Sequence, residues 1–359
     1  MKSSMTRSIT RSITPARLKR AALAAFVAAS LGGFGAQAAI AAEKINIASL
    51  AFVSSAPLFI AQEKGYFAAE DLDAEITFFQ AAQPVAVAIA SNDADFGVTA
   101  FTGGFFNLAA KGGLRVIGAQ LHEDAGYDGS AILASNAAFD AGLTTVDDLP
   151  GHSIAISQVG SSFHYMVGNI AEKAGFEIDS IEMKPLQSVP NMIGALKSGQ
   201  VDSMIIVPHI AKPLAASGAG HIIGWVKDYV PYQVGGLFTS QRNIDERRDV
   251  VEKFVRAYQK GVADYRAALL ATDGAGMLVE SDSTAEILAI VHKYVYAEEA
   301  AETAYPKIRN GAMFITEEAR LNVADVAAQV KWYQAGGFVD AAVDPASFID
   351  TSFIPPLAE

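Results

Sequence analysis

Two serine pairs stand at matching places in the chain and are the residues best suited to hold a ligand. Ser54-Ser55 precedes Ala56-Pro57, and Ser161-Ser162 follows Gly160. Each pair ends a loop leading from an alternating apolar strand pattern into a helical one. A serine at a helix start accepts a backbone hydrogen bond, while free N–H groups and the positive end of the helix dipole face outward. That arrangement suits a carboxylate, sulfonate or phosphate. Ordinary capping without a ligand is the competing reading of either pair. Other candidate residues fall on strand-to-helix loops facing the same way. In the first half these are Gln83, Thr99, Phe101 and Thr102; in the second they are Gln187, Ser188 and His209. Thr102 is placed to cap a helix that opens with Gly103-Gly104. His164 and Tyr165 lie in the first turn after the second serine pair, where they either offer a donor and a stacking face or simply pack. His209 either faces the cleft or sits on a surface loop. Tyr127 and Tyr232 fall in two presumed connections and could close over a ring.

Catalytic signatures are missing. The chain has no G-x-S-x-G, S-x-x-K, H-E-x-x-H or Walker loop, and no cysteine. Zero cysteine removes thiol catalysis, disulfides, cysteine zinc sites and iron–sulfur clusters. His122-Glu123-Asp124 could ligate a metal, but three adjacent side chains rarely converge on one centre, and the six histidines show no ligand spacing. We therefore expect no catalytic residues, no metal and no cofactor.

An internal repeat supplies the elements that position the serines. AIASNDADFGV (Ala88–Val98) aligns without gaps with ALKSGQVDSMI (Ala195–Ile205), and IAQEKGYF (Ile60–Phe67) with IAEKAGF (Ile170–Phe176). INIAS (Ile45–Ser49) matches SIAIS (Ser153–Ser157). Each copy reads strand, serine loop, helix, strand, helix, strand. The predicted strands are 45–47, 74–79 and 95–99, then 153–157, 181–186 and 203–207. Strand–helix alternation with short connections means parallel sheets covered by helices. Two copies mean two α/β lobes. Strand-like runs at 114–120 and 130–135, and at 221–227 and 235–240, mark the chain crossings between lobes. From Ile244 the pattern turns helical: Val250, Val251, Phe254, Val255, Tyr258, Val262 and Tyr265 form an apolar stripe. Further helical patterns cover 284–296 and 317–334. This C-terminal stretch is expected to pack on the first lobe.

Length and charge agree. At 359 residues the chain exceeds one compact core. Residues 1–42 hold six basic residues and no acid, leaving 21 basic against 39 acidic residues in the remainder. Such a surface repels nucleic acid and anionic membranes. The basic start runs into an Ala/Gly-rich apolar stretch with A-x-A sites at Ala36-Gln37-Ala38 and Ala39-Ile40-Ala41. This is the layout of a secretory signal peptide, cleaved near Ala38–Ala42; an uncleaved anchor is the alternative. The expected organisation is a signal peptide over 1–42, lobe I over 43–126, lobe II over 127–241, and a mostly helical second part of lobe I over 242–359.

In this order and spacing, five segments resemble the periplasmic substrate-binding proteins of ABC importers, of the nitrate/sulfonate/taurine type that includes binders of thiamine-pyrimidine precursors. They are Ser55–Ile76, Ala88–Gly104, Thr145–Ser157, Gly160–Phe176 and Ala195–Ile210. The resemblance implies a two-lobed periplasmic-binding-protein type II fold, with ligand in the cleft and closure by hinge motion. It also implies an inner-membrane permease as partner. It places ligand-lining loops at Ser54, Ser55, Thr99, Phe101, Thr102, Ser161, Ser162, Gln187, Ser188 and His209. Gln80-Ala81-Ala82-Gln83 stands where a Gly-rich loop is common. A related pyrimidine synthase uses a cysteine-rich segment that this chain lacks. The expectation is a monomeric periplasmic receptor for a small organic anion, a sulfonate or carboxylate with or without an aromatic part. A neutral or cationic heterocycle and a non-transport enzyme are the alternatives.

Overall fold

The computed structural model describes residues 42–273 and 277–358. The expected export signal lies outside the described residues, apart from Ala42. Lobe I begins with β1 (Glu43–Ser49), α1 (Ala56–Glu63), α2 (Tyr66–Ala69), β2 (Leu72–Phe78), α3 (Ala82–Ala90), β3 (Phe96–Ala100), α4 (Gly103–Ala110) and β4 (Arg115–Ala119). A short strand, β5 (Leu121–Glu123), carries the chain across. Lobe II holds β6 (Ala131–Ala134), α5 (Asn136–Asp140), β7 (Ser153–Ile156), α6 (Ser162–Ala174), β8 (Glu182–Pro185), α7 (Val189–Lys197), β9 (Ser203–Ile206), α8 (Pro208–Ala216) and β10 (His221–Trp225). The chain then returns through β11 (Tyr232–Gln233) and β12 (Gly235–Thr239). It ends in α9 (Gln241–Glu246), α10 (Arg248–Leu269), α11 (Thr284–His292), α12 (Ala301–Asn310), β13 (Phe314–Ile315) and α13 (Val323–Ala335).

The two five-stranded sheets have the same plan. Their orders are β2-β1-β3-β12-β4 and β8-β7-β9-β6-β10, the second read from its opposite edge. In each, the three repeat strands run parallel, and the fourth, antiparallel strand arrives by a crossing from the other lobe. The sheet corrects the expected boundary. Lobe II was expected to run to residue 241, but β12 pairs with β3 and β4, so the return crossing is complete by Gly235. Between the lobes, β11 and β13 flank β5 in a three-stranded sheet that contains both crossings.

The stripe on α10 is buried as its spacing predicts. Its Phe254 stacks on Phe96 of β3 at 3.9 Å between ring centroids. At Gly261 any Cβ would collide with the Pro57 carbonyl, so glycine lets α10 lie against α1. Two expectations for the C-terminal stretch need correction. The helix expected from 317 starts only at Val323, because Glu318 and Ala319 adopt left-handed backbone at φ 55° and 57°. Nor does the stretch serve lobe I alone. Tyr296, just before α12, donates its hydroxyl to the His209 carbonyl of α8, and Lys212 of α8 donates to the Asn310 carbonyl at 2.6 Å. The ring of Trp332 on α13 fills the space that Gly168 leaves open on α6.

Candidate functional site

The cavity between the lobes sits at the carboxyl ends of the parallel strands, where ligands bind in open α/β sheets. Its volume is about 50 Å³, enough for a few water molecules or a compact head group. Five helices begin on its wall: α1 behind Ser54 and Ser55, α3 at Ala81 and Ala82, α6 at Ser162, α7 at Val189 and α8 behind Val207. Apolar contact comes from Leu50, Phe52, Phe163, Met166 and Val234. The described wall carries no ionisable side chain. Its polarity comes from hydroxyls, amides and the positive ends of five helix dipoles.

The helix starts are not equivalent. Pro57, Pro84, Pro190 and Pro208 lie in the first turns of α1, α3, α7 and α8, and each removes an N–H. The first turn of α6 contains no proline. Ser161 caps it, its Oγ accepting from the His164 N–H at 3.3 Å. The N–H groups of Ser162 and Phe163 remain at the open end of a 13-residue helix.

The first serine pair behaves differently from the capping expected of it. A 3₁₀ turn over Val53–Ser55 runs directly into α1, and Ser55 at φ −91°, ψ 1° lacks the extended backbone that lets a side chain cap. Its Oγ instead lies 3.0 Å from that of Ser49, which donates to the Val98 carbonyl at 2.8 Å. The Ser49 proton is therefore committed, and Ser55 is the donor of the pair. Ser54 stays on the cavity wall with its carbonyl accepting from Gln120 Nε2 at 3.3 Å.

Of the predicted ligand residues, the structure brings Ser54, Ser55, Thr99 and Ser162 to the cavity. The others are absent from its lining. Gln83 Oε1 accepts from the Thr102 hydroxyl at 2.5 Å, and Thr102 caps α4 by accepting from the Phe105 N–H. Phe101 packs among Phe105, Phe106 and the core. Ser161 is spent as the α6 cap, and Ser188 caps α7. Gln187 adopts φ 68° and takes a 3.4 Å hydrogen bond from Gln158. His164 Nδ1 accepts from the Gly160 N–H at 3.0 Å; its ring meets Trp332 and Phe338, and burial lowers its pKa. Tyr165 packs on Tyr232, Trp332 and Tyr333, with its pKa pushed up to about 12 by burial. His209 lies under Gly311 and against Phe52, where burial brings its pKa down to about 3. Tyr127 donates to the Leu270 carbonyl, and Tyr232 is buried in the crossing sheet.

Direct bonds join the lobes beside the cavity. The Gly103 N–H at the start of α4 donates to the Gly160 carbonyl at 2.9 Å, and the Tyr333 hydroxyl of α13 donates to the Ser161 carbonyl at 2.9 Å.

Sequence reasoning missed four polar wall residues: Gln80, Gln120, Ser130 and Ser157. Gln120 and Ser130 flank the crossing strand β5, outside the repeat, and their spacing carries no signal. Within that crossing, Glu123 is fully buried and both its carboxylate oxygens accept from the Ser130 N–H, at 2.9 and 3.2 Å. A Cβ on Gly129 would collide with this carboxylate, so glycine is required beside it. Burial pushes the Glu123 pKa up to about 7, against the lowering effects of Ser130, His122 and Lys227. The His122-Glu123-Asp124 run forms no metal cluster among the described residues.

The NMT1/THI5-like family profile matches residues 53–268, well over half of the chain. The protein belongs to the NMT1/THI5-like family. That span holds both serine pairs, both crossings and all five helix starts at the cavity. No curated protein matches the sequence significantly. Among solved structures, the fold is similar to the alkanesulfonate-binding protein SsuA from Xanthomonas axonopodis pv. citri bound to MOPS. The two share 17% identity at a TM-score of 0.68, over 86% of this chain and 98% of that one. It is also similar to the periplasmic aliphatic sulphonate binding protein SsuA from Escherichia coli, at 16% identity and a TM-score of 0.65, over 86% and 92%. The periplasmic nitrate-binding protein NrtA from Synechocystis PCC 6803 matches at 12% identity and 0.65, over 86% of both chains. These likenesses establish the periplasmic-binding-protein fold for this family member. No helix among the described residues is long and apolar enough to cross a membrane.

Proposed function

We propose that this chain is a solute receptor that captures a small organic anion, a sulfonate or carboxylate, between its lobes. It delivers that anion to the permease of an ABC importer, acting as a monomer in the periplasm after export and catalysing no reaction. The observation that carries the reading is a wall with five helix N-termini and no ionisable side chain. Such a wall offers partial positive charge and N–H donors with nothing to neutralise a cation. The surface charge of the chain does not oppose this, because helix ends act at contact range while surface charges are screened over about 10 Å.

The anionic group sits at the start of α6, on the N–H groups of Ser162 and Phe163 and the Ser162 hydroxyl; Ser54, Ser55 and Thr99 meet it from the other lobe. Three or four charge-assisted hydrogen bonds at roughly 1.5–3 kcal/mol each approach the roughly 8 kcal/mol of a micromolar complex before ordering costs. On the same fold, the SsuA proteins bind sulfonates and NrtA binds nitrate, which makes a small anion chemically reasonable here. The test is a thermal-shift panel of carboxylates, sulfonates and uncharged or cationic heterocycles, followed by calorimetry on the hits. Anions should raise the melting temperature, and Ser161→Ala combined with Ser162→Ala should weaken the best of them at least about tenfold. Stabilisation by heterocyclic cations alone, or unchanged affinity in the double variant, contradicts the reading.

A further inference from the structure

The anion reading leaves one buried acceptor on the cavity wall without a partner, Gln120 Oε1. Gln120 is 1% exposed and lies just before β5. Ser130, 0% exposed at the other end of the crossing just before β6, has the Glu123 carboxylate beside its hydroxyl.

The Ser130 hydroxyl rotates, serves as donor or acceptor and has Glu123 as a partner. The carboxamide of Gln120 has no such freedom. Its Nε2 donates to the Ser54 carbonyl at 3.3 Å, which a carbonyl oxygen could not replace, and this fixes Oε1 as the free end. Oε1 only accepts. A buried acceptor without a donor costs the desolvation of that group, and a donor on the ligand relieves that cost.

Resting on the anion reading above, we propose that the ligand carries an N–H or O–H donor beside its anionic group, and that Gln120 selects for it. The acid group engages the start of α6, and the donor meets Gln120 Oε1 on the side of the first crossing. The ligand class is therefore hydroxy- or amino-substituted sulfonates and carboxylates. Unsubstituted ones are disfavoured because they strand a buried acceptor. Discrimination built this way exceeds what an apolar pocket reaches for one methyl group.

Three matched pairs test this by calorimetry: isethionate against propane-1-sulfonate, glycolate against propionate, and 2-aminopyrimidine against 2-methylpyrimidine. Within each pair a donor replaces a methyl group of similar size. We expect the donor-bearing anion to bind roughly 5- to 100-fold more tightly. In Gln120→Met that preference should vanish or invert. In Ser130→Ala, which keeps the acceptor, it should persist even if both affinities fall. Circular dichroism and melting temperature confirm that each variant is folded. Equal affinities within the anion pairs, or a preference that survives in Gln120→Met, overturn the proposal. If only the pyrimidines bind, the anion reading falls while the donor preference is read from that pair. If none of the six binds at millimolar concentration, both fall.

Discussion

The same two residues, Ser-Ser, occupy the same repeat position in both lobes and do different work. In lobe I the pair is tied to the sheet: Ser55 donates to Ser49, and Ser49 to the Val98 carbonyl. In lobe II the first serine caps α6 and the second lies on the cavity wall. The difference arises one step upstream. A 3₁₀ turn feeds α1 and removes the extended backbone a cap requires, whereas Ser161 sits at φ −72°, ψ 168° and can cap. A repeated motif thus predicts a repeated place; the backbone entering it decides the role. On our proposed reading, lobe I's pair serves mainly stability, through Ser55, and lobe II's serves ligand capture, through Ser162.

The largest expected effect lies at two buried titratable groups outside the serine pairs, Glu123 in the first crossing and His209 on α8 of lobe II. Burial raises the first to about 7 from 4.5 and lowers the second to about 3 from 6.5. Between pH 4.5 and 7 the folded chain keeps a proton on Glu123 that the unfolded chain has released, so this group makes stability fall as pH rises. Between pH 3 and 6.5 the unfolded chain holds a proton that buried His209 refuses, so stability rises with pH. Each slope is about 1.4 kcal/mol per pH unit, and from pH 4.5 to 6.5 they oppose. Relative to the parent, Glu123→Gln should make the stability–pH slope more positive there, a swing of roughly 3 kcal/mol across the window. His209→Asn should shift it the other way. Urea melts at four pH values measure both, and parallel curves for parent and variants would show that these groups titrate normally.

Next in size is Ser49→Ala. It strands the Ser55 hydroxyl and the Val98 carbonyl in the lobe I sheet, and should cost about 1–3 kcal/mol in denaturant melts. Ser161→Ala removes one cap and should cost about 1 kcal/mol. If the lobe II change costs more than the lobe I change, the assignment of roles is reversed. Smallest is Ser162→Ala: with its hydroxyl on the cavity wall, stability should change by less than about 0.5 kcal/mol while anion affinity falls several-fold. A large stability loss there would mean that Ser162 is structural.

The repeat made most of the fold legible, because strand alternation, helix stripes and loop serines are local signals that tertiary packing preserved. Asn92 shows how local these signals are: asparagine tolerates left-handed backbone, and it turns the chain after α3 at φ 62°. What escaped depends on contacts distant in sequence. The helix α12 holds few apolar residues and an internal Pro306, and it is defined by packing on α11 and α8. β12 belongs to lobe I through pairing with β3, 143 residues earlier at Phe96↔Thr239, which no window of sequence displays. The candidate site was half legible for the same reason. Ser54, Ser55, Thr99 and Ser162 lie at or just beyond strand ends and were found; Gln120 and Ser130 reach the cavity only because the crossing between lobes passes beside it.

The central claim is that helix ends and hydroxyls, rather than charged side chains, hold an anion between the lobes. Mass spectrometry of the small molecule released on denaturing the purified protein tests it most directly. The account predicts one organic acid per chain, ionised as a sulfonate or carboxylate. A cationic or uncharged molecule recovered at the same stoichiometry would contradict it.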